Sequence, residues 1–146
     1  MAANEPTIDD LSEGMEATHE VVFDDACVEC FIRLTGDDAA VHVELAAAHR
    51  MGFPDRIVHG LLVAAPFSRL LGKFLPGPRT VIQSIELDFR RPVPRGSTVV
   101  YRVRLRRLVP AVRTAVLDLA AEVDGVLAAG GTAKCTFRDV DGTVSP

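Results

Sequence analysis

Between His59 and Phe137 the apolar residues of this 146-residue chain change their repeat once, and that switch limits the available folds more than any other feature. From His59 to Leu75 they recur at three- and four-residue steps (Leu62, Val63, Pro66, Phe67, Leu70, Leu71, Phe74), which predicts a helix almost wholly buried. Pro66 has no backbone N–H to give and should kink or break that helix near its first turns, and Pro76-Gly77-Pro78 ends it. Beyond this point the repeat is two. Val81, Ile85, Leu87 and Phe89 are expected to alternate with Ile82, Ser84, Glu86 and Asp88, and after a turn at 92–96, Val99, Tyr101, Val103 and Leu105 alternate with Arg102, Arg104 and Arg106. Ala115 to Val123 makes a third strand, and Asp124-Gly125 is a two-residue hairpin signal into a fourth, Val126 to Phe137. One very apolar helix with about four long antiparallel strands specifies an α+β domain, the helix laid against a curved sheet.

Upstream, a short β-prone run from Thr18 to Val22 leads to Asp24, which is placed to cap a helix from Asp25 to about Leu34 with Val28, Phe31, Ile32 and Leu34 on its apolar face. Thr35-Gly36 stops that helix, and the turn chemistry of Gly36-Asp37-Asp38 leaves Asp37 on irregular backbone, where polar groups often serve function. Leu45 to Met51 is a short helix. The polar, acidic residues 1–17 are expected to form a loosely held arm, 18–138 a single domain and 139–146 a frayed tail.

Composition narrows the class. With 48% hydrophobic and 25% charged residues and a net charge of −4, the chain is an ordinary soluble globular protein large enough for one core. No apolar run approaches the roughly 18 residues that a membrane span requires. The N-terminus has neither the basic nor the apolar part of an export signal, so a cytoplasmic location is expected. Three cysteines, an odd count, fit reduced thiols, and Cys27-Val28-Glu29-Cys30 has no second ligand pair at zinc spacing, so packing inside a helix is the expected role. Nucleic-acid binding is not supported by a net negative chain with 7 Phe, 1 Tyr and no Trp. Charge is uneven, however: nine arginines lie between Arg79 and Arg113, with Glu86 and Asp88 as the acids among them, so this half can face an anion. Arg102, Arg104 and Arg106 are expected on the solvated face of their strand, whereas Arg90 and Arg91, with Arg79, are candidates for phosphate contact.

The residues able to move protons are Asp37 and His42, five positions apart across the turn. A carboxylate and an imidazole at this separation can converge on one small volume and exchange protons with a substrate, and spacing alone fits a cap or a surface hydrogen bond equally well. Their surroundings are more specific. Phe31-Ile32-Arg33-Leu34-Thr35-Gly36-Asp37, Val41-His42-Val43-Glu44, Gly52-Phe53 and Ile57-Val58-His59-Gly60-Leu61-Leu62 occur in order, followed by Leu70-Leu71-Gly72, Leu75-Pro76-Gly77 and Leu87-Asp88-Phe89-Arg90-Arg91-Pro92-Val93. This series resembles the MaoC-like, or (R)-specific, enoyl-CoA hydratases over roughly residues 23–105.

The resemblance implies a hot-dog fold and a homodimer. It also implies reversible addition of water to a trans-2-enoyl thioester, of coenzyme A or an acyl-carrier protein, with no metal or redox cofactor. Asp37 and His42 stand where the family has its acid–base pair. Gly60 stands where a backbone N–H polarises the thioester carbonyl, which suits a glycine at a helix start. His59, Leu61, Arg90 and Arg91 are the expected substrate contacts, His59 serving equally well as support for the helix start, with the acyl tail along the helix Leu61 to Leu71. The chain departs from the family's Asp-x-Asn-Pro-x-His, having Ala39 and Ala40 in place of Asn and Pro, and it has Ala65 on the central helix where many relatives carry a Ser that supports the Asp. Those departures keep two alternatives open: another thioester enzyme on the same fold, such as a thioesterase or cyclase, or a non-catalytic thioester-binding subunit.

Overall fold

Asp24 accepts a hydrogen bond from the Cys27 N–H (2.9 Å) and so starts α1, Asp25–Thr35. That bond holds the Asp24 carboxyl below its ordinary pKa, so the cap is intact above the usual carboxylate range and is lost as pH falls through the lowered value. Gly36 ends the helix in the left-handed region (φ 75°), its N–H donating to the Ile32 carbonyl. In the computed structural model, which describes residues 5–138, the remaining elements, besides 3-10 turns at Ile8–Asp10 and Pro110–Val112, are β1 (Glu16–Val22), α2 (Ala40–Val43), α3 (Leu45–Arg50), α4 (Gly60–Ala64), α5 (Pro66–Arg69), a π-helical turn (Leu70–Phe74), β2 (Thr80–Phe89), β3 (Thr98–Val109), β4 (Thr114–Val123) and β5 (Val126–Phe137).

The five strands form one antiparallel sheet in the order β1-β3-β4-β5-β2. The apolar helix expected from His59 to Leu75 is present as three consecutive helical pieces rather than one. Pro66 has no N–H to offer the Leu62 carbonyl, and the Ala65 N–H is shared between the carbonyls of Leu61 and Leu62. Val63, Phe67, Leu70 and Leu71 bury the inner side in the core, α5 against β3 and the π-helical turn against β1 and β2, while Leu61 and Phe74 are exposed.

The deepest polar contact in this core is the Tyr101 hydroxyl, which donates to the Val63 carbonyl at 2.8 Å while its ring meets Phe67 edge-on at 5.1 Å. Burial pushes the pKa of that phenol up. Tyr101→Phe is expected to lower stability by about 1 kcal/mol, read from urea midpoints, because one buried bond is lost and the ring packing stays.

Three expectations need correction. The arm is docked, not loose, over its described part. Ile8 and Leu11 pack on the core, the Leu108 N–H donates to Glu13, the Gly14 N–H donates to the Leu105 carbonyl, and Glu5 lies 3.6 Å from Arg79. Leu34 is 81% exposed rather than on the buried face of α1, since Val28 alone of that helix is fully buried. In β2 Val81 is exposed and Ile82 packs on the core, because an irregularity between Ile82 and Ser84 reverses the alternation there; beyond it Ile85, Leu87 and Phe89 share one face, opposite Ala133, Gly131 and Ala129, as expected, with Ile85 and Phe89 left partly exposed at the sheet edge. The expected tail, 139–146, lies outside the described residues. By contrast β3 alternates as expected, Tyr101, Val103 and Leu105 inward and Arg102, Arg104 and Arg106 outward, the last two beside Glu16 and Asp118. Among the described residues no helix is long and apolar enough to cross a membrane.

Candidate active site

The loop between α3 and α4 crosses the end of the sheet, where Ile57 bridges Pro94 and the Val58 N–H donates to the Val93 carbonyl (2.8 Å). This anchors the start of α4 against the segment that leaves β2. Between the two lies a cleft of about 240 Å³ lined by His42, Ile57, Val58, Gly60, Val63 and the run from Phe89 to Val93.

His42, on the single turn of α2, is half-buried on the wall of the cleft. Its Nδ1 lies 2.8 Å from the Ile57 carbonyl oxygen. A carbonyl only accepts, so Nδ1 carries the hydrogen and Nε2 of the neutral ring keeps a lone pair. Asp37 sits on the irregular segment before α2, as its turn chemistry predicts, with its side chain 51% exposed and one carboxylate oxygen receiving the Ala39 N–H at 3.3 Å. Asp37, His42 and His59 bring one ligand-type atom each to within 4.8 Å of one another. The spacing seen in the sequence does therefore place the carboxylate and imidazole together.

Gly60 is the first residue of α4, so its N–H has no acceptor within the helix. A Cβ there would meet the Phe89 ring at 3.5 Å, which means that any side chain at this position would fill the space between the helix start and the cleft wall. Arg90 and Arg91 line the cleft and are exposed; both their N–H groups donate to the Ala128 carbonyl, and Arg90 lies 3.8 Å from Asp88.

Other expected contacts do not gather here. Leu61 is 71% exposed and does not line the cleft, because the residue after the helix start falls on the face of α4 turned away from the sheet. Arg79 precedes β2 and pairs with Glu5; at about 3.3 Å per residue it is roughly 36 Å along the chain from Arg90. His59 is 2% exposed and sits behind His42, which leaves it no ligand contact on this cleft. Sequence reasoning missed the walls supplied by Ile57, Val58, Phe89 and Val93. Each reads as an ordinary apolar core or strand residue, and only the bridge between the two chain segments turns them toward one space.

The family model described as "MaoC like domain" matches residues 9–123. The chain belongs to the MaoC-like family. A 3-hydroxybutyryl-CoA dehydratase of Methylorubrum extorquens is 34% identical to this MaoC-like domain over 125 residues, 86% of this chain and 80% of its own. An (R)-specific enoyl-CoA hydratase of Rhodospirillum rubrum is 34% identical over 102 residues, covering 70% and 71%. Among solved structures, an (R)-hydratase from A. caviae superposes with a TM-score of 0.84 at 32% identity over 88% of this chain and 98% of its own, which confirms the hot-dog fold.

The cysteines are free thiols in three settings: Cys27 half-buried on α1, Cys30 exposed on the same helix and Cys135 fully buried in β5. Burial alone pushes the Cys135 thiol up to about 11, so little thiolate exists at neutral pH. In native protein treated with a maleimide, Cys30 is expected to react first, Cys27 more slowly and Cys135 only after unfolding, with peptide mass mapping as the readout.

Proposed function

We propose that this MaoC-like domain is a hydro-lyase that reversibly adds water to a trans-2-enoyl thioester, giving the (R)-3-hydroxyacyl thioester. The observation that carries the reading is the fixed tautomer of His42. Its Nδ1–H is committed to Ile57, so its bare Nε2 is free to take a proton on the cleft wall, with the Asp37 carboxylate beside it and the Gly60 N–H lining the same cleft. A water held between Asp37 and His42 gives up a proton as its oxygen bonds to C3. The π electron pair moves toward C2 and the thioester oxygen, which the Gly60 N–H stabilises, and a proton from the pair then reaches C2. One such donor is commonly worth ~10²–10³ in rate.

The names of the relatives support coenzyme A or acyl-carrier-protein thioesters as substrates. Arg90 and Arg91, at the cleft and exposed, are the cations we assign to the carrier's phosphates. We propose that no metal takes part. The rings of His42 and His59 are stacked at 3.7 Å with 26° between their planes, so their in-plane lone pairs run side by side rather than meeting at one ion. A homodimer is proposed because, among the described residues, β2 pairs with β5 alone and leaves Val81 and Ile85 exposed, an apolar sheet edge suited to a second copy. A stable monomer in sedimentation at working concentration would count against that part. The free thiols fit a cytoplasmic protein.

The test is the fall in enoyl-thioester absorbance on mixing with crotonyl-CoA, a four-carbon probe chosen because the cleft is smaller than the ~300–1,000 Å³ typical of drug-sized ligands. Appearance of the (R)-3-hydroxybutyryl thioester supports the reading. Release of free coenzyme A would replace it with a thioesterase, and binding without turnover with a non-catalytic subunit.

A further inference from the structure

His59 is almost completely buried, off the cleft, and yet touches both members of the acid–base pair. Its Nε2–H donates to the backbone carbonyl of Asp37 at 2.9 Å, and its ring lies flat against that of His42 at 3.7 Å. Phe31 of α1 packs on it in turn at 4.8 Å. We infer that His59 is a positioning residue: its N–H pins the backbone of Asp37, its ring face fixes the plane of His42, and so both reactive groups depend on one buried side chain. The catalytic consequence rests on the hydratase reading; the geometric one does not.

The local bonding shows why such a clamp is required. Asp37 lies between α1 and α2, and its other hydrogen bonds are short-range: its N–H donates to Thr35 Oγ1 (3.2 Å) and its carboxylate receives the Ala39 N–H. Neither ties the loop to the rest of the domain. The His59 bond, from 22 residues away, does so, and it fastens the loop to the start of α4, the same point that carries Gly60. His42 is held at one nitrogen by Ile57, a contact that still permits the ring to swing about that bond; the stacked face of His59 removes this freedom. The remaining His59 nitrogen, Nδ1, is buried and has no hydrogen-bond partner. An apolar side chain would fill this core position without leaving a polar atom unsatisfied, so packing alone does not account for an imidazole here. Its donor toward Asp37 does.

Two variants separate donor from ring. His59→Phe keeps a flat ring without the N–H, and His59→Gln keeps an N–H near the Nε2 position without the ring. Each is compared with the parent protein by kcat and KM on crotonyl-CoA and by amide hydrogen exchange at Asp38 and Ala39. His59→Phe is expected to lower kcat by about 10²-fold, the scale of a small misplacement of reacting groups, with KM nearly unchanged and with faster exchange of the loop amides. His59→Gln is expected to keep most of the loop protection and an intermediate kcat. A parental kcat and unchanged exchange in His59→Phe would overturn the inference, as would a rise in KM at constant kcat, which would make His59 a substrate contact. If His59→Phe fails to fold, His59→Gln decides: loss of loop protection despite its N–H overturns the donor role. If the parent protein does not hydrate crotonyl-CoA, the hydratase reading falls and the exchange comparison alone judges the clamp.

Discussion

Asp37→Asn and His42→Asn are each expected to reduce crotonyl-CoA hydration by about 10²–10⁴-fold in kcat, the usual size of an acid–base contribution, while the double variant is scarcely slower than either single one. The choice of asparagine matters. At position 42 its amide N–H can occupy the place of Nδ1 and keep the bond to the Ile57 carbonyl, so the turn of α2 stays anchored and only the bare Nε2 is deleted. At position 37 it keeps an oxygen for the Ala39 N–H and removes only the charge. Loss of turnover with unchanged circular dichroism and thermal midpoint would therefore report chemistry rather than folding. Non-additivity follows because the two groups hold one water: with either gone, the other has nothing to act on. Full activity in His42→Asn would remove the fixed-tautomer argument, and strictly multiplicative losses would mean that the residues act at separate steps.

How this pair came to be legible, and its clamp did not, has a physical reason. The turn at Gly36-Asp37 and the five-residue spacing to His42 are local, and local chemistry survives in a string of letters: Gly36 does adopt positive φ, Asp24 does cap α1, and Asp124-Gly125 does form the hairpin with both residues at positive φ. The switch of apolar period likewise marked the helix and every long strand, because burial on one face of β3 and β4 is written directly into alternation. What depended on long-range pairing was hidden. The sheet order puts β2 at an edge beside β5, so Val81, Ile85 and Phe89 stay partly exposed where alternation alone predicts a core. The acidic arm reads as unstructured until Arg79 and the Leu108 N–H are seen to meet it. His59 has no sequence neighbour that explains it, and its partners Asp37, His42 and Phe31 come from a different part of the chain.

The edge position of β2 also sets the second large effect. Gly131 pairs with Leu87 on one side and Leu119 on the other, and a Cβ built on it would overlap the Glu86 carbonyl oxygen. The obstruction is backbone, held in the β2–β5 ladder, so it cannot swing aside as a side-chain tip can. Gly131→Ala is therefore expected to cost about 3 kcal/mol, the upper end for overpacking, and to lower the melting midpoint by about 10 °C. Gly72→Ala serves as the control: it has open space around it and no positive φ, and the smaller conformational entropy of alanine in the unfolded chain should leave the midpoint unchanged or slightly raised. The effect should also reach the site. β2 ends at Phe89, and the N–H groups of Arg90 and Arg91 hang on the Ala128 carbonyl three residues before Gly131, so a strand pushed outward at Glu86 shifts the wall facing Gly60. Below its midpoint Gly131→Ala should accordingly show a raised KM. An unchanged midpoint would mean that β2 and β5 do not approach as closely as the ladder requires, and a lowered midpoint with unaltered KM would mean that the cleft wall is held by the bridge from Ile57 to Pro94 alone.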